Sequence, residues 1–193
     1  MRDTAIKDDA LTTNDAAALG TTKTRLSRGA QAGRYKRIAR GIYRASDADP
    51  ADLDMIEAAA RRPDATICLI SALAHHGLTD EIPTALDIAI PRGARIPATK
   101  GAIAWHLFDK GTFVLGREEI AIPGTDSLRI GIYSPERCIA DAYRLREELG
   151  YETATQALRT WLNRGGKPAD LIEIANRLPR AKTPLIQALT ILA

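Results

Sequence analysis

The stretch Ala16-Ala17-Ala18-Leu19-Gly20-Thr21-Thr22-Lys23-Thr24-Arg25-Leu26-Ser27-Arg28-Gly29-Ala30-Gln31-Ala32-Gly33-Arg34-Tyr35-Lys36-Arg37-Ile38-Ala39-Arg40-Gly41-Ile42-Tyr43-Arg44-Ala45-Ser46 decides how this chain is read. It holds eight cations, Lys23, Arg25, Arg28, Arg34, Lys36, Arg37, Arg40 and Arg44, and no acid. The flanking acids are Asp15 and Asp47. The 193-residue chain carries a net charge of only +3, so everything outside this stretch is net acidic. A local basic field on an otherwise acidic chain suits a polyanionic partner, because each neutralised phosphate releases condensed counterions. A solvated face or a disordered arm is the alternative. Against it stand apolar residues at structured spacing (Leu19, Leu26, Tyr35, Ile38, Ile42 and Tyr43) and glycines at turn positions.

Read locally, the stretch is a winged helix. Leu11 to Gly20 reads as a short helix, with Thr12 or Thr13 as its cap and Gly20 as its stop. Thr21 or Thr22 caps a second helix, roughly Thr22 to Ala32, which Gly33 ends. Helix, tight glycine turn and helix make a helix-turn-helix. At about 100° per residue, Leu26 fixes the core face of the second helix. The opposite face carries Thr24, Arg28 and Gln31, flanked by Arg25 and Ser27. Such a face suits a major groove, where Arg forks onto guanine and Gln onto adenine. Gly29 sits in that helix where glycine costs about 1 kcal/mol against alanine, so it reads as a loosening residue. Arg34 to Arg44 reads as a hairpin whose tip is Ala39-Arg40-Gly41, with Gly41 supplying a positive φ. Residues expected to contact DNA are Thr22, Lys23, Thr24, Arg25, Ser27, Arg28, Gln31, Arg34, Lys36, Arg37 and Arg40.

Beyond the wing, Ala45 to Ala51 reads as a linker and Asp52 to Arg62 as a helix. Ala65 to Gly77 reads as mostly buried, with Leu69 and Leu73 at helical spacing. Alternation then marks about four strands, at Leu86–Ile90, Ile103–Leu107, Glu119–Ile122 and Leu128–Tyr133. Ser134-Pro135-Glu136 opens a helix with a cap, a proline at its first position and an acid at its positive end. Arg137 and Asp141, four apart, can pair, and Arg137 reads as structural. Helices at Thr153–Asn163, Pro168–Leu178 and Thr183–Leu192 follow. The expected fold is α+β, a winged helix-turn-helix followed by a mixed domain with a small sheet of about four strands and a C-terminal helical region. The expected domains are 1–46, a DNA-binding head, and 47–193, with strands over about 86–133 and helices over about 134–192.

Several chemistries are not supported. His75 and His76 point about 100° apart on a helix and do not share a metal ion easily. Ser71 lacks a nucleophile elbow, and phosphate-loop and Rossmann glycine patterns are absent. Asp80-Glu81 reads as solvated. No metal, cofactor or enzymatic activity is expected. No apolar run approaches the length of a membrane span, and Met1-Arg2-Asp3-Thr4 lacks a signal peptide's apolar region. Cys68 and Cys138 are expected to be buried free thiols in a cytoplasmic protein.

Four motifs in order carry a family resemblance. Gly20-x5-Leu26 with Gly33-x-Tyr35 and Arg40-Gly41-Ile42-Tyr43 resembles the N-terminal winged helix of the AbiEi antitoxins, the regulatory halves of type IV toxin–antitoxin operons of abortive infection. Ile70-Ser71-Ala72-Leu73-Ala74-His75-His76-Gly77-Leu78 is similar to that family's helix after the wing, and Ile88-Ala89-Ile90-Pro91-Arg92-Gly93 to the strand that follows. Ser134-Pro135-Glu136-Arg137-Cys138-Ile139-Ala140-Asp141 is similar to its later helix start. The resemblance implies a repressor of its own operon that binds double-stranded operator repeats with self-association on DNA. It also implies a cognate nucleotidyltransferase-like toxin, commonly countered without a stable complex. An RNA- or protein-binding winged-helix interaction protein, or a phosphotransferase modifying the toxin, are the alternatives.

Overall fold

The computed structural model describes residues 10–13 and 20–192. It is an α+β chain that divides into two compact units. The first takes the described residues up to Ala65 together with Arg95–Ile103 and Glu119–Ile130. The second takes Thr66–Ala94, Ala104–Glu118 and the described residues from Gly131 onward.

The first unit opens with β1 (Leu11–Thr12), α1 (Lys23–Gln31), β2 (Tyr35–Ala39), β3 (Ile42–Ala45) and α2 (Leu53–Arg61). β2 and β3 form an antiparallel hairpin in which Ala39 faces Ile42, which leaves Arg40 and Gly41 as the tip. Gly41 there has φ +80°, the left-handed conformation that glycine adopts without a Cβ penalty. β1 pairs on the other side of β3, Leu11 opposite Tyr43 and Thr12 opposite Ile42. The small sheet thus runs β1-β3-β2.

That pairing corrects the sequence expectation, in which Leu11 and Thr12 began a helix. The free edge of β3 offers Thr12 and Leu11 ladder partners, and Leu11 is buried beside Leu26 and Tyr43. A two-residue strand with those partners wins over a weak helix start. The rest of the expected first helix, Asn14–Leu19, lies outside the described residues. α2 starts on Asp52, whose carboxylate accepts from the amides of Asp54 at 2.9 Å and Met55 at 3.0 Å. Such a cap satisfies amide donors that the first turn leaves free.

Next along the chain comes β4 (Thr66–Ile67), which turns directly into α3 (Leu69–His75). β5 (Leu86–Pro91), β6 (Ile103–Phe108), β7 (Arg117–Ala121) and β8 (Arg129–Tyr133) join it in a sheet of order β6-β5-β4-β8-β7. β4 runs antiparallel to β5 and parallel to β8. The sheet has five strands rather than the four expected. The extra strand is β4, too short to show a two-residue period, and it lies at the centre. After the sheet come α4 (Pro135–Arg144), the short α5 (Arg146–Leu149), α6 (Tyr151–Asn163), α7 (Pro168–Arg177) and α8 (Lys182–Leu192).

α4 is the hub of the helical part and packs on α3, α6, α7 and α8. The Ser134 hydroxyl accepts from the Arg137 amide at 3.3 Å, and Pro135 opens the helix, as the sequence reading expects. Arg137 is fully buried. Its Nε donates to Asp141 Oδ2 at 2.8 Å, and its Nη1 donates to the carbonyls of Thr112 and Leu115, each at 2.7 Å. The guanidinium lies 4.3 Å from the Tyr133 ring centroid. Asp141 also accepts from Arg144 Nε at 3.0 Å. A fully buried cation is tolerated when it is paired and hydrogen-bonded in this way, here through Nε and Nη1.

The remaining polar residues singled out above have structural partners. Ser71 donates to Asp87 Oδ2 at 3.1 Å, and His106 Nε2 lies 2.9 Å from Asp87 Oδ1. The carboxylate thus stands between the serine and the histidine, and neither partner is His75. His76 Nε2 donates to the Tyr133 carbonyl at 2.8 Å. Asp80 and Glu81 are more than solvated acids, for Asp80 accepts from Gln156 at 3.0 Å and Glu81 from Thr153 at 2.5 Å. Both donors lie on α6. Cys68 and Cys138 are buried free thiols, and burial pushes each thiol well above its ordinary pKa. Among the described residues no helix is long and apolar enough to cross a membrane.

Candidate nucleic-acid interface

α1 is built to show its charge. The Thr22 hydroxyl accepts from the Arg25 amide at 3.2 Å and caps the helix. Leu26 is fully buried and packs with Leu11 and Tyr43, while Ala30 and Tyr35 close the cluster. The side chains of Thr22, Lys23, Thr24, Arg25, Ser27, Arg28 and Gln31 are all exposed. No acid stands in the first turn. The macrodipole and the side chains therefore present the same sign to solvent at this end.

The helix hands over to the hairpin without slack. The Gly33 amide donates to the Ala30 carbonyl at 3.2 Å and the Arg34 amide to the Gly29 carbonyl at 2.9 Å. Gly33 takes φ +76° to make the turn. Arg34, Lys36, Arg37 and Arg40 are exposed along and at the tip of the hairpin. Arg37 also donates to the Ala39 carbonyl at 3.3 Å, which steadies its side chain near the tip.

Two residues behave differently from a simple reading of the basic stretch. Arg44 is 5% exposed and turns inward, donating to the carbonyls of Asp49 and Gly124. One of the eight cations is thus part of the scaffold. Gly29 is not a loosening residue. A Cβ placed there would stand 2.5 Å from Tyr35 Cδ2 and 2.6 Å from Cε2, so the missing side chain is what lets the ring lie against α1. Helix propensity alone carries no signal of that contact, because Tyr35 belongs to β2.

The wing tip also has neighbours from outside the basic stretch. Arg61 on α2 and Lys100, both unassigned by the sequence reading, line a cleft with Ala39 and Arg40. Among the described residues no group of three or more His, Cys, Asp or Glu side chains gathers as a metal site.

Residues 4–46 match the family model of the AbiEi antitoxin transcriptional regulators. The matched segment ends where the wing ends, and contains every side chain of the exposed basic face described above. AbiEi proteins are regulatory antitoxins. No curated protein matches the chain. The crystal structure of the RV2827C protein from Mycobacterium tuberculosis is similar at 13% identity and a TM-score of 0.45, covering 94% of this chain and 90% of that chain.

Proposed function

We propose that this chain is an antitoxin-type transcriptional regulator that binds the double-stranded operator repeats of its own promoter through residues 1–46. α1 enters the major groove with Thr24, Arg25, Arg28 and Gln31 toward the bases. Thr22, Lys23, Ser27, Arg34, Lys36, Arg37 and Arg40 hold the backbone, and copies associate on the repeats. Residues 47–193 counter a nucleotidyltransferase-like toxin without enzymatic chemistry of their own. The observation that carries this reading is the coincidence of the family match with an acid-free stretch whose polar helix face and hairpin cations are exposed. A helix with its apolar side anchored and its basic side free can be laid in a groove, and a hairpin beside it can reach the adjacent backbone.

The test is a binding titration of the full chain against duplex DNA from upstream of its gene, and against the transcribed RNA, across salt. With about 4–6 phosphate contacts, the logarithm of the binding constant falls on the logarithm of salt with a slope of about −4 to −5 for duplex DNA. Arg28→Ala weakens binding by about 1–3 kcal/mol and relaxes preference at one base pair. Arg40→Ala weakens all duplexes alike, since a phosphate contact positions without specifying. A slope near zero, or tighter binding to the RNA, overturns the reading.

A further inference from the structure

The cleft beside the wing tip has a volume of about 470 Å³ and is lined by Ala39, Arg40, Arg61, Pro97, Ala98, Thr99 and Lys100. All belong to the first unit. Its lining holds three cations, one hydroxyl and no acid. The nearby carboxylates are already engaged. Glu57, 1% exposed, accepts from the Lys100 amide at 3.1 Å and the Gly101 amide at 2.9 Å, and lies 3.5 Å from Arg61 Nη2. Asp54, one turn earlier on α2, accepts from the Ala102 amide. Three successive amides are thus clasped by α2, and Lys100 is held at the rim by its own backbone rather than by its charge.

Arg61 keeps unspent donor capacity. Its Nε is buried and has no acceptor among the described residues. A buried donor without a partner is uncommon, and Arg61 is also one of three cations lining this acid-free cleft, a lining that suits an anion. Arg40, at the hairpin tip, contributes a charge to the same cleft.

We propose that the Arg40–Arg61–Lys100 cleft seats a phosphate of the DNA backbone beside the wing. The assignment rests on the DNA-binding reading above and extends the interface to residues that lie outside the family match. Arg61 and Lys100 contact no base, so the seat adds affinity equally on every sequence.

The experiment compares the wild-type full chain, Lys100→Gln and the double variant Arg61→Gln/Lys100→Gln on an upstream duplex and a scrambled duplex, each over a salt series. Lys100→Gln keeps the backbone amide that Glu57 holds, so its fold is retained, which circular dichroism verifies. Arg61→Gln also removes an ion pair from Glu57, so the decision rests on the single variant. The expected result is a several-fold loss on both duplexes by the same factor, with the salt slope shallower by about 0.9 for each phosphate contact removed. Unchanged affinity and slope in Lys100→Gln, while the wild type binds duplex with its steep salt dependence, overturn the seat and leave the DNA reading standing. A wild-type chain that binds no duplex overturns both. Inorganic phosphate separates the remaining source. A melting temperature that rises with phosphate in the wild type but not in Lys100→Gln, with DNA affinity equal in the two, assigns the cleft to a free anion and overturns the backbone seat.

Discussion

Gly29 and Tyr35 show how a single missing methyl group organises the basic face. Alanine is the better helix former by about 1 kcal/mol. Yet the Tyr35 ring occupies the space a Cβ would need, at 2.5 Å from its nearest atom. The ring is rigid and half-buried between α1 and β2, so it cannot swing away as a long side chain would. Overpacking of this kind costs about 1–3 kcal/mol. Gly29→Ala is therefore expected to lower stability despite its gain in helix propensity, measured by urea unfolding of the full chain. Ser27→Ala, at an exposed position of the same helix, serves as the control and is expected to be neutral or slightly stabilising. A stabilised Gly29→Ala chain would remove the ring contact as the reason for the glycine.

Among the elements, those with strong local punctuation are the ones legible in the chain. α1 needed only Thr22, Leu26 and Gly33, and the hairpin only Arg40-Gly41 between apolar flanks. α4 was legible down to its cap, its proline and the Arg137–Asp141 pair. β1 and β4 were not legible, because each has two residues and exists only through its partners in the sheet. The exposed positions of the basic face followed from one buried leucine and the helical period. Arg61 and Lys100 did not, since nothing local joins a cation on α2 to one in a distant loop. The α4 network also allows a numerical expectation. Asp141→Ala strands the fully buried Arg137 guanidinium, although its two carbonyl acceptors remain. Removing one member of a buried pair costs about 3–5 kcal/mol, and a loss of that size in chemical denaturation is expected. A change below about 1 kcal/mol would mean that the carbonyls alone hold the cation.

Over the whole molecule, the sequence boundary at residue 46 and the compact units differ in kind. The match to known regulators ends at Ser46, but the first unit continues through α2 and takes in two later segments. Arg44 in β3 reaches the Gly124 carbonyl, 80 residues further on. Glu57 holds the amides of Lys100 and Gly101. A fragment of residues 1–46 loses the Gly124 and Asp49 acceptors of Arg44 and everything that α2 packs against it. Such a short piece also buries too little surface to be stable on its own. It is expected to show no cooperative thermal transition by circular dichroism, whereas the full chain does. A sharp melt of the fragment near that of the full chain would mean that the later segments are dispensable.

The reach from Arg44 to Gly124 also orders events at the ribosome. At about 5–20 residues per second, synthesis of the intervening 80 residues takes roughly 4–16 s. Through that interval the nascent hairpin exists without the carbonyl that will receive its inward-turned arginine. A message broken before codon 124 releases a polypeptide whose first unit is never completed, so its basic hairpin is never displayed on a finished scaffold.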